Sequence, residues 1–149
     1  MTTYKYPPGI SRDGSLILDR ILVEELARFG EIRPPWKYAD DEPPYSISWR
    51  MGPGEGHILI FFAWWESLEL GEEERFARVL KWDPPVLWWP WAGFLTWPEM
   101  DDPAADLDEL DERAVARLAA AGFGNLEAWR KVTRELDEAA QQELDEDQA

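Results

Sequence analysis

Apolar residues recur every three or four positions in the first part of the chain, which is the spacing of one helix face. This stripe consists of Leu18, Ile21, Leu22, Leu26 and Phe29. Ser15 or Asp13 precedes most of the stripe and can accept a hydrogen bond from a first-turn amide. Gly30 follows it and can adopt the left-handed conformation that ends helices. The pattern therefore predicts an N-terminal helix that ends at Gly30.

Three further segments have helical spacing. Residues 72–82 begin with three glutamates, where the helix dipole favours negative charge, and Asp83 and two prolines follow them. Residues 107–118 and 126–140 predict a helical pair, separated by the turn Gly122-Phe123-Gly124. Asn125 is placed to cap the second helix of this pair. We therefore expect a helical pair within residues 107–140.

The middle of the chain has a different pattern. Residues 45–51 alternate between apolar and polar, as in a half-buried strand, whereas residues 57–65 are almost all apolar, as in a strand covered on both faces. The glycine-rich residues 52–56 between them fit a hairpin turn. Residues 86–98 are also apolar but contain prolines, which exclude one long helix, and they predict one or two short strands.

Together these elements predict an α+β fold with an N-terminal helix, a small antiparallel sheet with a central hairpin, and a C-terminal helical pair. The length of 149 residues fits a single domain. We expect this domain to cover residues 1–142 and to be followed by a disordered acidic tail over residues 143–149.

The charge of the chain restricts its partners. Asp and Glu number 31 against 15 Lys and Arg, which gives a net charge of −16. Such a field repels nucleic-acid phosphates and anionic membranes, and it attracts basic protein surfaces. The alternative is that the charge only keeps the protein dispersed.

The chain has no cysteine, which excludes disulfides, thiolate zinc sites and cysteine nucleophiles. Its first residues contain no apolar core of signal-peptide length. The longest apolar run, residues 58–65, is far shorter than the roughly 20 residues that cross a bilayer. We therefore expect a cytoplasmic protein without a membrane segment.

Tryptophan is unusually frequent, with ten residues in the chain. Four of them lie close together at Trp88, Trp89, Trp91 and Trp97. On a strand, Trp88 and Trp89 would point to opposite faces and would not both enter one core. Exposed tryptophans serve as anchors in protein interfaces or as platforms for sugars. The alternative is that they form a second covering layer of the fold.

Few residues indicate catalysis. His57 is the only histidine, and because no Gly-x-Ser-x-Gly motif accompanies it, we expect a surface or strand-end residue. Glu66 and Glu69 are the carboxylates best placed for a hydrolase, but we expect both to face water. The acidic residues 101–108 lack the glycine of an EF-hand loop. The sequence predicts no catalytic residue, metal or cofactor.

One short segment is similar to a known motif. Gly122-Phe123-Gly124-Asn125-Leu126-Glu127-Ala128 resembles the core of a helix-hairpin-helix motif. The resemblance implies that the amides of Gly122, Gly124 and Asn125 hold a DNA phosphate. Acidic residues precede the turn and Glu127 follows it, so we favour a structural turn over binding of nucleic acid.

The function that these features favour is a small acidic module that docks on a basic partner protein, as an inhibitor, immunity protein, antitoxin or counter-defence protein does. The expected partner-binding residues are aromatic or acidic: Trp88, Trp89, Trp91, Trp97, Asp40, Asp41, Glu42, Asp101 and Asp102. One alternative is a ligand- or carbohydrate-binding domain with a tryptophan-rich pocket. A further alternative is a carboxylate-dependent hydrolase. The sequence leaves the oligomeric state open.

Overall fold

The computed structural model describes residues 4–148, and in this range the protein is helical. Helices make up 69% of it, and none of the described residues lies in a β-strand. The predicted α+β fold with an antiparallel sheet and a central hairpin is therefore wrong. The α-helices are α1 Arg12–Phe29, α2 Pro35–Tyr38, α3 Pro53–Ser67, α4 Glu72–Lys81, α5 Trp89–Thr96, α6 Leu107–Ala120 and α7 Leu126–Asp147. Short 3-10 helices cover Ile47–Trp49, Val86–Trp88 and Pro98–Met100.

The helices predicted from apolar spacing are present as α1, α4, α6 and α7. Helix α1 starts earlier than expected because Ser11 is its N-cap, and the Ser11 hydroxyl accepts the Gly14 amide at 3.0 Å. Gly30 ends the helix as predicted, with φ of 75° and its amide donating to the Leu26 carbonyl. Here the local signals and the fold agree.

The predicted second strand is helix α3. Its buried residues His57, Ile60, Phe61, Trp64 and Trp65 recur at helical spacing. An unbroken apolar run fits a buried helix as well as a buried strand, and for this reason the pattern alone was ambiguous. Pro53 occupies the first turn, where a helix leaves the amide unpaired anyway.

The predicted first strand is a loop that contains the 3-10 helix Ile47–Trp49. The Trp49 indole donates to the Pro43 carbonyl at 2.8 Å and holds the loop closed. Gly54 lies against this turn, since a Cβ at Gly54 would collide with the Ser48 carbonyl oxygen. The glycine-rich segment is therefore the start of a helix packed on backbone rather than a hairpin.

The predicted strands of residues 86–98 are also helical. Helix α5 begins at Trp89, and Pro90 lies in its first turn, where its missing amide costs nothing. Gly93 allows α5 to approach α6 at backbone distance, because a Cβ at this position would lie 2.8 Å from the Ala114 Cβ. The prolines exclude one long helix but not this short one.

The chain divides into two compact units, Met1–Gly71 and Glu72–Ala149. The first contains α1 to α3, and Leu22, Ile32, Ile60 and Phe61 are fully buried in it. The second contains α4 to α7, and its buried residues include Val79, Ala92, Val115 and Leu118. The expected domain of residues 1–142 spans both units, and its end at residue 142 falls inside α7.

No helix formed by residues 4–148 has the length and hydropathy needed to span a bilayer.

Candidate functional site

The four clustered tryptophans lie in the second unit, on the Val86–Trp88 turn, on α5 and directly after α5. Trp88 and Trp97 are buried, and Trp89 and Trp91 are half-buried. The Trp88 and Trp91 rings meet edge to face at 5.2 Å between centroids. Trp89 contacts Phe123 in the same way at 5.7 Å, and its indole donates to the Pro84 carbonyl at 3.0 Å. These rings lie mainly in the core, as in the alternative in which the tryptophans form a covering layer of the fold.

Trp97 is held from two sides. The Phe76 ring of α4 lies 6.0 Å away, and the Arg117 guanidinium of α6 lies 4.4 Å above the Trp97 ring. Arg117 also approaches Glu72 at 3.6 Å and Glu99 at 3.7 Å. A cation over a tryptophan contributes about 0.5–1 kcal/mol at an exposed site. Trp97 therefore joins α4 and α6 rather than forming an open platform.

The predicted acidic contacts lie in different units. Asp40 and Asp41 are exposed after α2 in the first unit, and Glu42 beside them accepts the Ser46 hydroxyl. Asp101 and Asp102 are exposed in the second unit, where Asp102 accepts the Ala104 amide at 3.0 Å. The four exposed carboxylates are accessible to a partner, and their role in binding stays a prediction.

His57 is not a surface or strand-end residue as expected. It is buried on α3, with its side chain 2% exposed. Its Nε2 lies 2.6 Å from the Arg33 carbonyl oxygen, and the Tyr38 ring stacks on the imidazole at 4.0 Å between centroids. Because a carbonyl only accepts, Nε2 carries the proton and Nδ1 presents a lone pair in the neutral ring.

Glu25 of α1 lies beside this histidine. One oxygen of its carboxylate accepts from the Arg33 Nε at 2.6 Å, and the other lies 3.9 Å from the His57 Nδ1. Burial lowers the pKa of His57, and the hydrogen bond to Arg33 and the charge of Glu25 oppose this effect only in part. We call Glu25, Arg33, Tyr38 and His57 the histidine cluster. It holds one carboxylate, one guanidinium, one phenol ring and a neutral imidazole.

Sequence reasoning missed the histidine cluster because its members come from separate segments. One signal was present: Glu25 falls on the same face of α1 as Leu18 and Leu22. A carboxylate on a buried stripe needs a partner, because an unpaired buried charge is costly. Arg33, eight residues later, is such a partner. The His57 and Glu25 side chains are only 2% and 9% exposed, and their contacts suit the holding and release of a proton.

The second half of α7 differs in exposure from every other helix that residues 4–148 form. Trp129 is buried, and Val132 and Thr133 are half-buried, but every residue from 134 to 148 is exposed. We call residues 135–147 the acidic arm. It contains seven carboxylates and no Lys or Arg: Glu135, Asp137, Glu138, Glu143, Asp145, Glu146 and Asp147. Residues 143–147, expected in a disordered tail, belong to this helix.

The remaining candidates from the sequence are Glu66, Glu69 and the turn between α6 and α7. Glu66 and Glu69 are exposed, and Glu69 has a positive φ of 49° just after α3. In the Gly122-Phe123-Gly124 turn, the Gly122 amide already donates to the Ala119 carbonyl at 3.0 Å. Gly124 lies against the Trp89 ring, because a Cβ at position 124 would come 3.2 Å from the Cζ3 atom of that ring. The turn therefore joins α6 to α7 by internal contacts. No group of three or more His, Asp or Glu among residues 4–148 is arranged to hold a metal ion.

Comparison with known proteins gave no match. No protein-family model fits the sequence, and no curated protein or solved structure is significantly similar to it.

Proposed function

We propose that the protein is a small acidic module that docks on a basic partner protein and that the acidic arm is its main contact surface. The observation that carries this proposal is the exposure of the arm, where seven of the chain's 31 acidic residues lie along 13 consecutive positions. A cytoplasmic location is part of the proposal, since the cysteine-free chain suits a reducing compartment.

The negative charges of the acidic arm destabilise it as a helix, and this supports a binding role. Glu143, Glu146 and Asp147 lie in its last turns, where the helix dipole already carries negative charge. Like charges three or four positions apart also repel one another. A partner with Lys and Arg side chains would remove both costs on binding. An arm that served only to keep the protein dispersed would not need the charges at this end.

An apolar stripe runs along the same helix. Trp129 packs into the second unit, and Leu136 and Ala140 continue its line 7 and 11 residues later, near two and three helical turns. Leu144 follows at the margin of this line and is 55% exposed. A basic surface with a shallow apolar groove would therefore match the arm better than a polyanion or a lipid surface. The half-buried Trp89 and Trp91 and the exposed Asp40, Asp41, Asp101 and Asp102 would add contacts.

The proposal is tested by affinity purification from native lysate at low and high salt, with mass spectrometry of the bound proteins. We expect a specific basic protein at low salt that is lost at high salt, because screening weakens contacts between exposed charges. A variant with Glu143→Gln, Asp145→Asn, Glu146→Gln and Asp147→Asn should lose this protein. A control with Glu24→Gln, Glu55→Gln, Glu73→Gln and Glu74→Gln has the same net charge and should retain it. Equal recovery by both variants would rule out the arm, and no specific recovery by the unchanged chain would refute the proposal.

A further inference from the structure

Three members of the histidine cluster, Glu25, Arg33 and His57, join three segments of the first unit. Glu25 belongs to α1, Arg33 to the connection after it, and His57 to α3. The Arg33 side chain contacts Glu25, while its backbone carbonyl accepts from His57. The same guanidinium lies 3.9 Å over the Phe29 ring near the end of α1. Each of these three residues therefore depends on the position of the other two.

The charges of the cluster balance only while His57 is neutral. Glu25 and Arg33 form an ion pair at 2.6 Å, which leaves no net charge between them. A proton on the His57 Nδ1 would add a second cation beside a single carboxylate. The side chains of His57 and Glu25 are 2% and 9% exposed, so water screens this extra charge poorly. Glu25 would then have to divide its contacts between two cations.

We propose that Glu25, Arg33 and His57 form a proton-operated lock that holds α1 and α3 together while His57 is neutral and loosens when the imidazole takes up a proton. The proton enters at Nδ1, because Nε2 is already committed to the Arg33 carbonyl. No other covalent change is involved.

The other groups that face His57 determine how readily the imidazole takes up a proton. The Tyr38 ring of α2 stacks on the imidazole and would favour its cationic form modestly. The 3-10 helix Ile47–Trp49, which also packs on α3, has no ionisable side chain. Burial outweighs the attraction of Glu25 and lowers the pKa of His57. The unfolded chain therefore binds this proton more readily than the folded one, and stability present above pH 6.5 is lost as the pH falls.

The lock has a direct spectroscopic test because the chain has one histidine. In the full-length protein, the imidazole Cε1–H signal is followed by NMR from pH 8 to 5. We expect it to titrate below pH 6.5 and to shift further down in Glu25→Gln, which removes the favourable carboxylate. A signal that titrates at or above pH 6.5 would overturn the lock, whatever the variants do.

The effect of this proton on the stability of the protein is tested by urea unfolding at pH 7.5 and 5.0. All proteins carry Asp111→Asn, because burial raises the pKa of Asp111 to about 6 and would otherwise add its own pH dependence. Below pH 6.5 the unfolding constant should rise by up to about tenfold per pH unit, as for one linked proton. His57→Gln retains an N–H donor for the Arg33 carbonyl but cannot titrate, so most of this rise should disappear. An equal rise in His57→Gln would show that the acid sensitivity lies elsewhere and would refute the lock.

Discussion

The two halves of α7 follow one apolar stripe but meet different surroundings. In the first half, Trp129 is buried and Val132 and Thr133 are half-buried, and the helix packs on α6 and on the Val86–Trp88 turn. In the second half, Leu136, Ala140 and Leu144 continue the line without being covered. The carboxylates also concentrate in the second half. The difference indicates that the sequence builds a helix longer than its own core requires.

The largest expected effect on the free energy of unfolding comes from a substitution in the first, packed half of α7. Trp129→Ala removes a buried ring and should lower the free energy of unfolding by about 3 kcal/mol. Leu144→Ala in the arm should change it by less than about 0.5 kcal/mol, because this side chain is exposed. Urea unfolding followed by tryptophan fluorescence and by circular dichroism measures both. Similar losses in the two variants would mean that the arm is covered after all.

Substitution of Asp111, a half-buried carboxylate on α6, should have a smaller effect on stability, and this effect depends on pH. Burial, with a contribution from Asp108, raises the pKa of Asp111 to about 6. The folded state therefore binds this proton more readily, and stability falls as the pH rises through 6. Because Asp111 retains some contact with water, Asp111→Asn should stabilise the protein by about 1 kcal/mol at pH 7.5. The gain should vanish near pH 4, and urea unfolding at the two pH values checks this.

The smallest effect should be confined to the arm. Glu143→Gln and Glu146→Gln remove negative charge near the C-terminal end of α7, and each should stabilise the local helix by about 0.3 kcal/mol. Amide hydrogen exchange, measured residue by residue, should slow in residues 135–147. The urea midpoint should stay constant, since the core is unchanged. A shift of the midpoint without slower exchange in the arm would contradict this separation.

The helices with one apolar face were predictable from the sequence. In α1, α4, α6 and α7, polar residues on the other face mark the period, and Gly30 and Asn125 mark ends that the structure confirms. In α3 and α5 the apolar residues continue around the helix, so the period that distinguishes a helix from a strand is weak. The strands predicted at these two segments are helices for that reason, whereas residues 45–51 alternate as a strand does but form a loop with the 3-10 helix Ile47–Trp49.

The candidate sites were predictable to different degrees. The concentration of acids near the end of the chain was visible, but its position on a helix that leaves the core was not. The histidine cluster was hidden because Glu25, Arg33 and His57 are brought together only by the packing of α1 on α3. The only sign of such a buried ion pair in the sequence is a charged residue, here Glu25, on the apolar face of a predicted helix.

The contact of Gly93 with Ala114 has a consequence for how relatives of this protein would be recognised. A Cβ at position 93 would lie 3.1 Å from the Ala114 carbonyl oxygen as well as 2.8 Å from its Cβ, so neither residue can grow without separating α5 from α6. Selection would therefore preserve the two small residues jointly, 21 positions apart. A divergent homologue should retain this spacing after most other identity has been lost.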